Sequence, residues 1–103
     1  MLAETPPPPY YAVIFSSIMS PQDDGYTLMA NEILALAKQQ PGFLGFESAR
    51  DEIGISVSYW QDLEAIKAWR EHSYHLLAQQ KGKQQWYKNY RIRIARVERD
   101  SAY

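Results

Sequence analysis

The chain has 103 residues, no cysteine, 46% hydrophobic and 22% charged residues, and eleven Lys and Arg against twelve Asp and Glu. That length predicts one domain able to bury a core unaided, and the missing cysteines exclude disulfides, thiolate metal sites and cysteine nucleophiles. A net charge of −1 gives no general attraction to nucleic acid or anionic lipid, and no apolar run approaches the roughly 20 residues of a membrane helix.

Residues 1–9 end in four consecutive prolines, Pro6 to Pro9, and are expected to form an extended Pro-rich arm ahead of a single domain over residues 10–103. The arm carries no Lys or Arg and no apolar stretch before a cleavage site, so it does not read as a signal peptide. A cytoplasmic protein is the expectation.

Tyr10 to Met19 is rich in aromatic and β-branched residues and predicts a strand with two apolar faces, Tyr11/Val13/Phe15 and Tyr10/Ala12/Ile14. Asp23 or Asp24 stands ready to cap a helix running to about Gln40. Tyr26, Met29, Ile33 and Ala37 recur there at helical spacing, and Pro41-Gly42 ends it. Phe43 to Arg50 and Ile53 to Trp60 predict a hairpin around Asp51-Glu52, with Ile53, Ile55, Val57 and Tyr59 alternating with Gly54, Ser56, Ser58 and Trp60.

Asp62 is placed to cap a second helix, with Ala65, Ile66, Trp69, Ser73 and Leu76 on one stripe and Glu64, Lys67 and Glu71 opposite; Gly82 is the expected stop. Tyr87 to Arg99 predicts the last strand. The order β-α-β-β-α-β is that of the ferredoxin-like α+β fold, a four-stranded antiparallel sheet with two helices on one face.

Two helices cover only one side of such a sheet, and the first strand is apolar on both. Burying the second face against another copy predicts a homodimer, sheet against sheet, in which the C-terminal strand could also extend the partner's sheet edge.

With Trp69 at the centre of the second helix's buried stripe, His72, His75 and Gln79 fall one above another along its rim. Imidazoles there suit proton transfer near neutral pH, although two solvated helix histidines would look the same. A metal would need a third ligand, and Gln79 is a poor one, so no metal site is expected. Trp69 is a core anchor whose indole N–H could also serve a ligand oxygen. Trp86 and Tyr87 follow the Gly82 turn, where they would pack a connecting segment against the sheet or lid the cleft, while Phe15, Ser17 and Tyr59 would line it if they face the helices.

Lys88, Arg91, Arg93, Arg96 and Arg99 crowd the last strand, yet the Gly54–Tyr59 strand lacks the stacking residues of RNA-recognition domains. Salt bridges to Glu47, Asp51, Glu52 or Glu98, across the sheet or across the dimer, are the expected role of these cations, and no nucleic-acid or membrane partner is expected.

Three segments carry a family resemblance: Pro41-Gly42-Phe43-Leu44-Gly45-Phe46-Glu47, the stretch Ser58-Tyr59-Trp60-Gln61-Asp62-Leu63-Glu64-Ala65-Ile66-Lys67-Ala68-Trp69, and Trp86-Tyr87 with Tyr90 and Val97-Glu98-Arg99. Together they resemble the antibiotic biosynthesis monooxygenase family. The resemblance implies a dimeric α+β barrel and oxygenation of quinols, anthrones or polycyclic phenols by O2, without metal or flavin. It further implies that Trp69 matches the family's helix Trp, and His75 a proton-transfer residue about two turns on.

A second branch of the family degrades heme with a first-strand Asn, the helix Trp and an axial His ten residues beyond it. Here those positions hold Ser16 or Ser17, Trp69 and Gln79. The functional expectations are thus a cofactor-independent monooxygenase of a small aromatic compound, with heme binding through His75 or non-enzymatic ligand binding as alternatives.

Overall fold

The computed structural model describes residues 2–21, 25–79 and 87–103, except for the side chains of 74–79. The elements follow the expected order: β1 (Tyr10–Met19), α1 (Tyr26–Ala37), β2 (Phe43–Arg50), β3 (Gly54–Trp60), α2 (Leu63–Gln79) and β4 (Tyr87–Val97). The strands form one antiparallel sheet ordered β2-β3-β1-β4.

Local hydrogen bonding sets where each element ends. Helix α1 stops at Ala37, and the N–H groups of Gln39 and Gln40 then reach back three residues, to Leu36 and Ala37. The chain thus tightens into turns before the expected end near Gln40. Strand β3 begins at Gly54 because the Ile53 carbonyl accepts the Asp51 N–H and closes the hairpin. Strand β4 ends at Val97, the residue paired with Tyr10 at the start of β1, so Glu98 and Arg99 have no ladder partner there. Asp62 Oδ1 accepts the Ala65 N–H at 2.8 Å and caps α2 as expected. Helix α1 instead has Gly25 at its N-cap, at φ 78° and without a side-chain cap, while the expected caps Asp23 and Asp24 and the stop Gly82 lie outside the described residues.

Register sorts the side chains between the two faces. Tyr11 pairs with Trp60 and Phe15 with Ser56 on one side of the pleat, whereas Ala12 pairs with Tyr59 and Ile14 with Val57 on the other. Trp60 stacks on Trp69 of α2, so its side is the helix side. That side carries Val13, Phe15 and Ser17 of β1 and Gly54, Ser56, Ser58 and Trp60 of β3. The core lies beneath α2, where Trp60 is 0% and Ile66 1% exposed.

The opposite face is not bare. The N-terminal arm crosses it, with the Ala3 N–H donating to Glu47 Oε2 at 3.0 Å. Ala3 fits there because Gly45 has no side chain: a Cβ at Gly45 would lie 2.9 Å from the Ala3 methyl. Thr5 Oγ1 donates to the Tyr10 hydroxyl, which donates to Asp100 Oδ2. Tyr10 and Ala12 are each 4% exposed under this cover, whereas Ile55, farther along the same face, is 47% exposed. The arm is therefore a strap on the sheet.

Within one chain, the strand order corrects the expected pairing of the β4 cations with Glu47, Asp51 and Glu52. Strands β2 and β4 are opposite edges, three strand spacings or roughly 14 Å apart. Glu47, Asp51 and Glu52 thus stand across the sheet from Arg91, Arg93 and Arg96. Glu47 instead accepts hydrogen bonds from Ala3 and Tyr59.

Candidate functional site

On the helix side, aromatic rings line up from the β2 edge to the surface of α2. Phe43 meets Trp60 edge-on at 5.4 Å, Trp60 stacks on Trp69 at 6.1 Å and 23°, and His72 tilts against Trp69 at 5.8 Å. Ile66, Trp69 and His72 recur every three residues, so the buried Ile66 seats the helix and carries Trp69 over the sheet and His72 to the exposed rim. The two indoles differ in one respect. Trp60 donates its N–H to Ser58 Oγ at 2.8 Å, while Trp69 is half-buried and its N–H has no partner among the described residues.

A second aromatic group gathers where β1 meets β4. Phe15 lies 5.2 Å from Tyr87 and 5.6 Å from Tyr90, and Tyr87 packs edge-on against Tyr26 at the start of α1. The Tyr87 hydroxyl donates to the Tyr26 hydroxyl at 3.3 Å. Burial, then this bond, push the Tyr87 phenol well above the usual tyrosine range, against a smaller downward pull from the Arg50 charge. It stays a neutral donor at physiological pH. Ser17, two residues along from Phe15, is 2% exposed and accepts hydrogen bonds from Arg50 at both its hydroxyl and its carbonyl.

Between the two groups the β3 floor consists of Ser56 and Ser58, with the Arg50 side chain covering Gly54 at its end. A floor of small residues between aromatic walls is suited to a flat ligand. Among the described residues no cluster of three or more His, Asp or Glu could hold a metal ion.

Of the residues singled out from sequence, Trp69, His72, Phe15, Ser17 and Tyr87 share this side of the sheet. Tyr59 does not, which corrects its placement in the cleft. Side chains alternate along a strand, so turning Trp60 toward α2 turns Tyr59 away. Tyr59 packs edge-on against Tyr10 at 5.9 Å and donates to Glu47 Oε1 at 2.5 Å. Burial and this carboxylate push its phenol up to about 12, while the Tyr59 hydroxyl and the Ala3 N–H hold Glu47 below its usual value. His75 and Gln79 belong to the last turns of α2, but their side chains, like all of Trp86, lie outside the described residues.

Trp60, Tyr26 and Arg50 are the residues that sequence reasoning left out. Trp60 had a signal: it continues the Gly54-Ser56-Ser58 row, whose small side chains mark the face that accommodates something. Tyr26 and Arg50 join the site through long-range pairing that local periodicity does not encode.

Residues 9–81 match the antibiotic biosynthesis monooxygenase family. The chain is 50% identical over 104 residues to the uncharacterized protein YqjZ of Bacillus subtilis, covering 99% of this chain and 91% of that protein. Among solved structures it is similar to SnoaB of Streptomyces nogalater, a cofactor-independent oxygenase, with a TM-score of 0.73 at 11% identity over 91% of this chain and 97% of that one. It is also similar to a MhuD variant with two manganese protoporphyrin IX molecules bound per active site, with a TM-score of 0.66 at 21% identity over 90% and 99% of the two chains. The two structural likenesses show a shared fold, and the match along the sequence places the chain more narrowly. This protein belongs to the antibiotic biosynthesis monooxygenase family.

Proposed function

We propose that the protein is a cofactor-independent monooxygenase that oxidises a small quinol- or anthrone-like aromatic compound with O2. The observation that carries this reading is the pairing of Trp69, whose indole N–H has no partner among the described residues, and the exposed His72 at the edge of an aromatic-walled floor. His72 or His75 takes a proton from a phenol of a quinol or from the activated ring CH2 of an anthrone, and the resulting anion gives one electron to O2. The two radicals join in a C–O bond at a ring carbon that still carries hydrogen. Loss of that hydrogen as a proton with cleavage of the O–O bond turns the carbon into C=O and releases water. The protein's part is to exclude solvent, hold the proton acceptor, and offer the Trp69 N–H to the developing oxyanion.

The described strand residues do not fit the heme-degrading set. The first strand offers Ser16 and Ser17 rather than Asn: Ser17 is buried and bonded to Arg50, and Ser16 pairs with Ile55 on the opposite face. Oxygen uptake with a panel of anthrones and hydroquinones tests the proposal. Turnover should vanish in a His72→Phe/His75→Phe double variant that keeps its fold. Unchanged uptake in that variant overturns the assignment, and a Soret shift on hemin titration would replace it.

We also infer that the protein works as a homodimer. The strap covers the Tyr10 end of the back face, while Ile55 is exposed and Ile14 and Val57 are half-exposed beyond it. Sheet-on-sheet contact would remove that surface from water. Sedimentation equilibrium should return twice the chain mass, and a monomer at micromolar concentration would refute the dimer.

A further inference from the structure

Arg50 has an unusual seat. It ends β2 opposite Gly54, and its guanidinium lies over the bare α-carbon of that glycine: a Cβ there would come within 2.1–2.5 Å of Cζ, Nη2 and Nε. From this position it crosses β3 and donates to the Ser17 hydroxyl and carbonyl on β1. A long, flexible side chain is thus held by three features: a missing side chain beneath it and two acceptors ahead. Both hydrogen bonds that Arg50 makes among the described residues go to Ser17, and no carboxylate pairs with it there. A guanidinium has five N–H donors, and the two hydrogen bonds to Ser17 use only part of them on a residue that keeps exposed surface. The site lies on the helix side, two residues along β1 from Phe15, which packs on Tyr87 and Tyr90.

We propose that Arg50, seated on Gly54 and held by Ser17, is the specificity-determining residue that binds an anionic substituent, a carboxylate or an acidic phenolate, on the aromatic ligand whose ring packs against Phe15 and Tyr87. This rests on the reading of the helix side as a site for a small aromatic compound, and it adds the charge that the compound carries. Planar oxyanions match the guanidinium fork, and the tether to Ser17 lowers the conformational cost of engaging them. The downward pull of Arg50 on the Tyr87 phenol agrees with its charge reaching this aromatic group.

The test is calorimetric titration in oxygen-free buffer with 1,4-dihydroxy-2-naphthoic acid and with its methyl ester, which differ in the negative charge and one methyl group. The native protein should bind the acid about tenfold or more tightly than the ester, from a charge-assisted contact. Arg50→Gln should bring the ratio near one, Arg50→Lys should keep part of it, and Gly54→Ala should lose it by displacing the guanidinium. Glu47→Gln, on the opposite face, should leave it unchanged. An undiminished acid preference in Arg50→Gln, no preference in the native protein, or no binding of either compound overturns the proposal. Because binding is read without O2, acid preference without oxygen uptake would refute the oxygenase reading and leave the anion site standing.

Discussion

Tyr59 donates to Glu47 diagonally across the β2–β3 pair, and the same carboxylate takes the Ala3 N–H, so one side chain joins the sheet to the strap. Both bonds favour the charged carboxylate, and Glu47 is held below the ordinary glutamate value of about 4.3. A lowered pKa contributes stability that is present above the unfolded value and lost as pH falls through the folded one. Acidification below about pH 4 should therefore release the strap before the sheet melts. Hydrogen exchange at the Ala3 amide checks this: protection should fall with pH, and should already be weak at neutral pH in Glu47→Gln.

Tyrosine titration follows the opposite sign. The phenols of Tyr10, Tyr59 and Tyr87 are all raised, first by burial and then by the groups they donate to, Asp100, Glu47 and Tyr26. Their stabilisation is complete below the ordinary value near 10 and is lost as pH rises through the folded values. Ultraviolet titration of the tyrosinates should show a late component, and in Glu47→Gln the Tyr59 share should move earlier by only part of its shift. Burial remains the larger cause.

Trp60 should dominate stability. It is fully buried between Phe43 and Trp69, so Trp60→Ala should cost about 3–5 kcal/mol in urea unfolding. Trp69→Phe keeps an aromatic ring over Trp60 while deleting the free N–H. It should cost little stability and lower oxygenation much more, a split that a purely packing role would not give.

Gly42 should not tolerate alanine. Its φ is 84°, and an added Cβ would lie 2.7 Å from the Ala65 methyl at the first turn of α2. Strain in the left-handed region adds to the clash, so Gly42→Ala should destabilise by roughly 2 kcal/mol or more. Thermal unfolding measures it.

The element order, the Asp62 cap and the Trp69–His72 rim were legible in the sequence because they rest on local spacing. Tyr59 was misplaced for an equally local reason. Its strand alternates apolar with small polar residues, which ordinarily puts the apolar row inside, but here the small row faces the helices and Trp60 alone fills it. Arg50 was invisible because its meaning lies in Gly54 and Ser17, which strand pairing brings beside it. The strap was invisible too, since nothing in Ala3 announces that Gly45 leaves it room.

The stacked indoles also give the molecule a built-in optical probe. Trp60 is fully dry and only 6.1 Å from Trp69, close enough for excitation to pass between the rings. A planar compound settling against the outer ring should dim the emission of the inner one, so occupancy could be followed in the unlabelled protein.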